Sequence, residues 1–201
     1  MKSFLLVLFS CCFLLISCKK DKKGNTDDSQ DKIEVNSSEV VRNSNFDKEI
    51  QLIKDNFRSI NAIKKWTVVD SVDLYESTEG GEAKFYFSNK KLQKIVAVYY
   101  GETGQAIEEY YLLDSKLSFV FRKEFRYNRP IYWDERNDEK FDFDKSIITE
   151  TRSYFYKDVL FEQIKSSEGN IEILNDNLEK EQESIKTNFN KLKQMSLTRQ
   201  I

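Results

Sequence analysis

From Trp66 onward the chain alternates in character, and that alternation limits its fold more than any other feature. Leu117, Phe119, Phe121, Phe125 and Tyr127 fall in one phase, while Ser118, Arg122, Glu124 and Arg126 fall in the other. Successive side chains of a strand point to opposite faces, so this pattern describes a sheet with one side packed and one side wet. β-Branched and aromatic residues also dominate Trp66 to Asp70, Ala83 to Phe87, Leu92 to Tyr100, Ala106 to Leu113 and Ile147 to Tyr156. Between them stand Glu79-Gly80-Gly81, Ser88-Asn89-Lys90, Gly101-Glu102-Thr103-Gly104 and Asp114-Ser115-Lys116, which is turn chemistry. Connections this short join antiparallel neighbours in sequence order, and they predict a meander of about six to seven strands.

Helical spacing flanks the sheet on both sides, so the expected class is α+β. Phe46, Ile50, Ile53, Phe57 and Ile60 form one apolar stripe, with Lys48, Glu49, Lys54, Asp55 and Arg58 on the opposite face. Asn45 or Ser44 is placed to cap its start. The helical period returns at Ile171, Leu174, Leu178, Ile185, Phe189, Leu192 and Met195. Glu181 interrupts that seam, and so short a seam suits a helix on or beside the sheet better than a coiled coil.

A hairpin recurs within the β region. Phe87 stands five residues before Leu92, Leu112 five before Leu117, and Phe155 five before Leu160. An aromatic pair, a polar turn and a leucine resemble the hairpin units of MORN-type repeat proteins, and that resemblance implies a sheet used as an interaction surface. Lys91, Lys116 and Val159 stand where those units carry glycine.

The N-terminus carries a different kind of information. One lysine at position 2 is followed by an apolar run from Phe4 to Ile16, and then by Lys19-Lys20-Asp21-Lys22-Lys23. Residues 4–17 as a helix of fourteen span about 21 Å, short of the ~30 Å hydrocarbon core, so the run reads as a secretory signal and not as a membrane span. Its end, Leu15-Ile16-Ser17-Cys18, resembles the lipobox of bacterial lipoproteins. The resemblance implies that residues 1–17 are a signal peptide and that Cys18 is lipidated, palmitate included, as the mature N-terminus. The several acyl chains so implied hold a protein stably, whereas one does so only marginally. Lys19 stands where the inner-membrane retention signal of some lipoproteins places Asp, which implies the outer membrane. Residues 18–44 contain no aromatic and few apolar groups, so they read as a flexible charged tether with a root-mean-square reach of roughly 25–30 Å. Residues 45–167 then form the α+β domain and 168–201 the C-terminal helix.

Inventory removes most catalytic chemistry from the mature chain. The three cysteines are Cys11, Cys12 and Cys18, and histidine is absent. With Cys18 acylated there is no free thiol, no disulfide, no thiolate metal site and no histidine base. The formal net charge is −2, and losing Lys2 with the signal takes it to −3, with both signs interspersed. No basic stripe of the kind that holds nucleic acid is present.

The most unusual stretch is Arg126 to Glu139, which holds the only proline and one of two tryptophans. Arg129, Pro130, Tyr132, Trp133 and Asp134 are the candidate binding loop, with aromatic rings beside charges that suit a sugar or a protein partner. Asp138, Glu139, Asp142 and Asp144 invite a calcium reading. Counted from Asp142, however, Ile147 takes the place of the required glycine and Ser153 that of the bidentate glutamate, so no metal site is assigned. No cofactor and no catalytic residue is assigned either. The expected function is a non-enzymatic, membrane-anchored lipoprotein binding an envelope protein or glycan polymer. The alternatives are a carboxylate-dependent hydrolase of envelope glycans, using acids such as Asp134, Glu135, Asp138 and Glu139, and an inhibitor or immunity-like protein. Oligomeric state is not legible.

Overall fold

A computed structural model describes residues 46–77, 79–132, 140–174 and 176–197. The expected signal peptide, Cys18, the tether, and the capping candidates Ser44 and Asn45 lie outside these residues. The class is α+β, with the strands in simple sequence order. Helix α1 (Asp47–Asn61) is followed by β1 (Val68–Leu74), β2 (Gly81–Ser88), β3 (Lys91–Tyr100), β4 (Gly104–Leu113) and β5 (Lys116–Arg126). After a long connection come β6 (Ile147–Tyr156), β7 (Val159–Ser167), β8 (Asn170–Ile173) and helix α2 (Leu178–Leu197). All strands belong to one eight-stranded antiparallel meander, β1 to β8 in order. The expected six to seven strands become eight, and β8 occupies part of the segment 168–201 read as helix. Ile171 and Leu174 have helical spacing, but Ile171 pairs with Ser166 in the sheet and only Leu178 onward is helical.

The recurring hairpin has a physical basis. Phe87 pairs with Leu92, Leu112 with Leu117, and Phe155 with Leu160. Both central residues of each turn have positive φ: Asn89 and Lys90, Asp114 and Ser115, Lys157 and Asp158. These are the two-residue turns whose twist matches that of the flanking strands. One residue inside each turn the register shifts, at Tyr86/Phe87, Tyr111/Leu112 and Tyr154/Phe155. The extra residue is Gln93, Ser118 or Phe161, so each bulge reverses the facing pattern beyond it. Leu117 and Phe119, which share a phase in the sequence, therefore lie in clusters on opposite faces.

Both faces of the central sheet are covered, which corrects the expectation of one wet side. On the first face Leu74, Phe85, Ile95, Tyr110, Leu112, Val120 and Phe155 pack with Phe189 and Leu192 of α2. On the second, Tyr111, Phe119, Tyr154 and Ile164 pack with Ile50, Ile53 and Ile60 of α1. Helix α2 is fastened at two separated points. Gln182 accepts from the Leu160 amide at 2.7 Å, and Lys191 pairs with Glu76 in the loop after β1. Helix α1 starts at Phe46 with no side-chain cap, and the Phe46 ring stacks on Phe161 at 4.6 Å.

Candidate functional site

A meander gathers alternate connections at one end of its sheet. Here the tight turns after β2, β4 and β6 lie at one end, and the loops after β1, β3 and β5 lie at the other. Those three loops are bonded to one another. Ser77 Oγ donates to the Tyr100 carbonyl at 2.8 Å, and the Tyr100 amide donates to Gly80 O at 3.0 Å. The Tyr127 amide donates to Thr103 O at 3.0 Å and the Ile131 amide to Glu102 O at 2.9 Å. The Tyr132 hydroxyl donates to Glu79 at 3.1 Å. Close approach requires glycine at position 104, where a Cβ would stand 2.4 Å from the Phe125 carbonyl oxygen.

Each of these loops carries an exposed tyrosine within it or at the strand end that leads into it. Tyr75 is 86% exposed, Tyr100 44% and Tyr132 70%. Beneath the last loop, Tyr127 meets Phe141 edge-on at 5.1 Å and Phe143 stacks on Phe125 at 5.3 Å. Asn128 clamps the two legs of the loop, donating to Lys140 O at 3.0 Å and accepting from the Asp142 amide at 2.9 Å. Of the candidate binding residues, Tyr132 is exposed, and Arg129 and Pro130 are half-buried. Trp133 and Asp134, with Glu135, Asp138 and Glu139, lie outside the described residues. The Tyr132 phenol is held above its ordinary pKa by its hydrogen bond to Glu79. Tyrosine rings offer rigid amphipathic contact area at small entropic cost, so this end is equipped for recognition.

The same end contains residues that the sequence reading passed over. Tyr75 and Tyr100 are separated from Tyr132 along the chain, and only the meander order brings their loops together. Turn chemistry directly after each of them was the available signal.

Two recesses flank the sheet. Between α2 and strands β4–β7 lies a polar cleft of about 340 Å³. Its floor carries Glu108, a buried carboxylate that accepts from the Tyr110 hydroxyl and lies 3.6 Å from Arg122. Arg122 also pairs with Glu124 at 2.9 Å. Burial, and then the Glu108 charge, push the Tyr110 phenol well above its usual range. Glu108 was visible in the sequence as an acid in phase with Tyr110 and Leu112, and that conflict marks a functional or specially paired position. Between α1 and strands β5–β6 lies a second recess of about 310 Å³, lined by Ile53, Lys54, Phe57, Phe119, Phe121, Arg152 and Tyr154.

Among the described residues no group of three or more acidic side chains is arranged to hold a metal, and no helix is long and apolar enough to cross a membrane. Compared with known proteins, the chain matches no family model, no curated protein and no solved structure.

Proposed function

We propose that this chain is a bacterial lipoprotein, anchored through acylated Cys18 to the outer membrane, that binds an envelope protein or glycan polymer without catalysing a reaction. The observation that carries the binding half is the gathering of Tyr75, Tyr100 and Tyr132 on three mutually bonded loops at one end of the sheet. Aromatic side chains that are amphipathic and fixed by a scaffold are the usual anchors of such contacts. Leu15-Ile16-Ser17-Cys18 supports the anchoring half. On this reading the tether sets the distance between the domain and the membrane, and the Arg129–Asp134 loop is the centre of the recognition surface.

The alternative is a carboxylate-dependent hydrolase of envelope glycans, in which one carboxyl group donates a proton and another acts as base or nucleophile. The acids it draws on, Asp134, Glu135, Asp138 and Glu139, lie outside the described residues.

A photo-crosslinking residue at Glu102, placed in intact cells, tests the binding half. The expected result is one dominant adduct that disappears when Tyr75→Ser, Tyr100→Ser and Tyr132→Ser are added to the same protein. Adducts unchanged by those substitutions would overturn it. For the anchoring half, Cys18→Ser is expected to abolish labelled-palmitate incorporation, and persistent labelling would refute it.

A further inference from the structure

We propose that the recess beneath α1 is a binding site for a small amphiphile with an apolar body and a carboxylate head. It is separate from the tyrosine-bearing end of the sheet. The walls supply the apolar half of the argument. Phe57 of α1, Phe119 and Phe121 of β5 and Tyr154 of β6 present four aromatic rings to one recess of about 310 Å³, which Ile53 also lines. That size and lining belong to the lower end of small-molecule sites, which are mostly apolar with a few placed polar groups. Three of the rings pack on one another, Phe57 edge-on to Phe119 at 5.5 Å and Phe119 against Tyr154 at 5.1 Å.

The polar groups choose the head. Among the described residues, the charged side chains that line the recess are Lys54 and Arg152, both cationic, and no carboxylate lines it. Arg152 is partly committed, to Glu150 at 2.6 Å and Ser166 at 3.3 Å, with its guanidinium over the Phe121 ring at 5.5 Å. Lys54 is half-buried and makes no hydrogen bond or ion pair among the described residues. Elsewhere on this face the cation is matched: Lys94 meets Glu109 at 2.6 Å. A lysine that lines an aromatic recess and has no counter-ion among the described residues calls for an anion whose remainder is apolar. A carboxylate on an acyl chain and a carboxylate on an aromatic ring both meet that description.

Titration calorimetry on the full chain tests the site, using decanoate and 2-naphthoate below any micelle-forming concentration, with decanol and 2-naphthol as uncharged counterparts. At least one carboxylate is expected to bind with a Kd of about 100 μM or tighter, roughly tenfold tighter than its neutral counterpart. Which of the two binds distinguishes an acyl from an aromatic body. Lys54→Glu, a change at the rim that leaves the core intact, is expected to remove that roughly tenfold preference while leaving the neutral compound unaffected. Phe121→Trp, which enlarges a wall, is expected to weaken both, with circular dichroism confirming that each variant is folded. Failure of both carboxylates to bind folded protein overturns the proposal, as does equal binding of acid and alcohol. An unchanged preference in Lys54→Glu also overturns it.

Discussion

The two faces of the sheet receive the same dipeptide and treat it differently. Tyr110 points to the face under α2 and Tyr111 to the face under α1, and each hydroxyl donates to the glutamate two residues before it, Glu108 or Glu109. Under α2 the glutamate is enclosed, with its side chain 8% exposed, and it shares Arg122 with Glu124. Under α1 the glutamate is 24% exposed and pairs with Lys94, which also donates to the Tyr111 hydroxyl at 2.9 Å, and Asn61 of α1 reaches the same hydroxyl at 3.1 Å. The apolar parts differ as well. The α2 face closes around Phe85 and Ile95, both fully buried, whereas the α1 face leaves an open aromatic recess beside Phe119. One face is a closed core with a polar cleft at its side, and the other is a looser layer that a short helix covers incompletely.

The largest test of that difference is truncation of one phenylalanine on each face. Phe85→Ala removes a ring from a fully packed site and should cost about 4–5 kcal/mol, transfer and cavity together. Phe119→Ala enlarges a recess that already exists, and should cost about 3 kcal/mol. Denaturant midpoints with unchanged slope measure both. Equal losses would mean that α1 closes its face as tightly as α2 does.

A smaller effect is expected at the glutamates. Glu108→Ala leaves a buried Tyr110 hydroxyl without its acceptor and Arg122 with only Glu124, for about 2–3 kcal/mol. Glu109→Ala leaves the Tyr111 hydroxyl with Asn61, for about 1 kcal/mol. The same denaturation series separates the two, and a reversed order would show that the Lys94 pair is the stronger tie.

Alkaline pH probes the tyrosines themselves. Burial, followed by the adjoining glutamates, raises both phenols above the ordinary value near 10. A group whose pKa is raised on folding contributes fully below its unfolded pKa and loses that contribution as pH climbs toward the folded one. Stability should therefore hold to about pH 10 and then fall by roughly 1.4 kcal/mol per tyrosine at pH 11. Tyr110→Phe and Tyr111→Phe should each remove one such increment from the difference between pH 8 and pH 11. Tyrosinate absorbance that appears before unfolding and is lost in Tyr110→Phe or Tyr111→Phe would contradict the linkage.

How much of this was legible in the sequence depends on the range of the interaction that decides each feature. Local chemistry read well. The turns at Asn89-Lys90 and Asp114-Ser115 announced themselves, and the five-residue offset from Phe87 to Leu92 is a direct cross-strand pair. Phase across a bulge did not. The extra residue at Ser118 puts Leu117 and Phe119 on opposite faces, and nothing in their alternation reveals it. Strand β7 was obscured by Glu162, Gln163 and Lys165, which interrupt its apolar run, although the first two are buried. Strand β8 has only four residues, too few for period two to compete with the helical spacing of Ile171 and Leu174. At the candidate site, composition singled out the loop at Arg129–Asp134. Tyr75 and Tyr100 join it only through topology, and Lys54 gains its meaning only beside Phe119 and Tyr154 from strands far along the chain.

The smallest effect supplies the control for the comparison, because it belongs to neither face. Ser115 sits in the turn between β4 and β5 with φ +66°, a left-handed conformation that costs an L-residue roughly 1–2 kcal/mol relative to its preferred regions. Glycine adopts that φ freely but gives up more backbone entropy on folding, about 0.5–1 kcal/mol. Ser115→Gly should accordingly stabilise the domain by about 0.5–1 kcal/mol, read as a raised denaturant midpoint. Lys90→Gly (φ +63°) and Asp158→Gly (φ +67°) should do the same at the equivalent turns. Strands β4 and β5 lie beneath both helices, and so a tighter turn supports Phe85 and Phe119 alike. The gap between Phe85→Ala and Phe119→Ala should therefore be unchanged in the Ser115→Gly background. A gap that narrows would show that the α1 face is loose because its hairpin is strained, and not because a short helix leaves it incompletely covered.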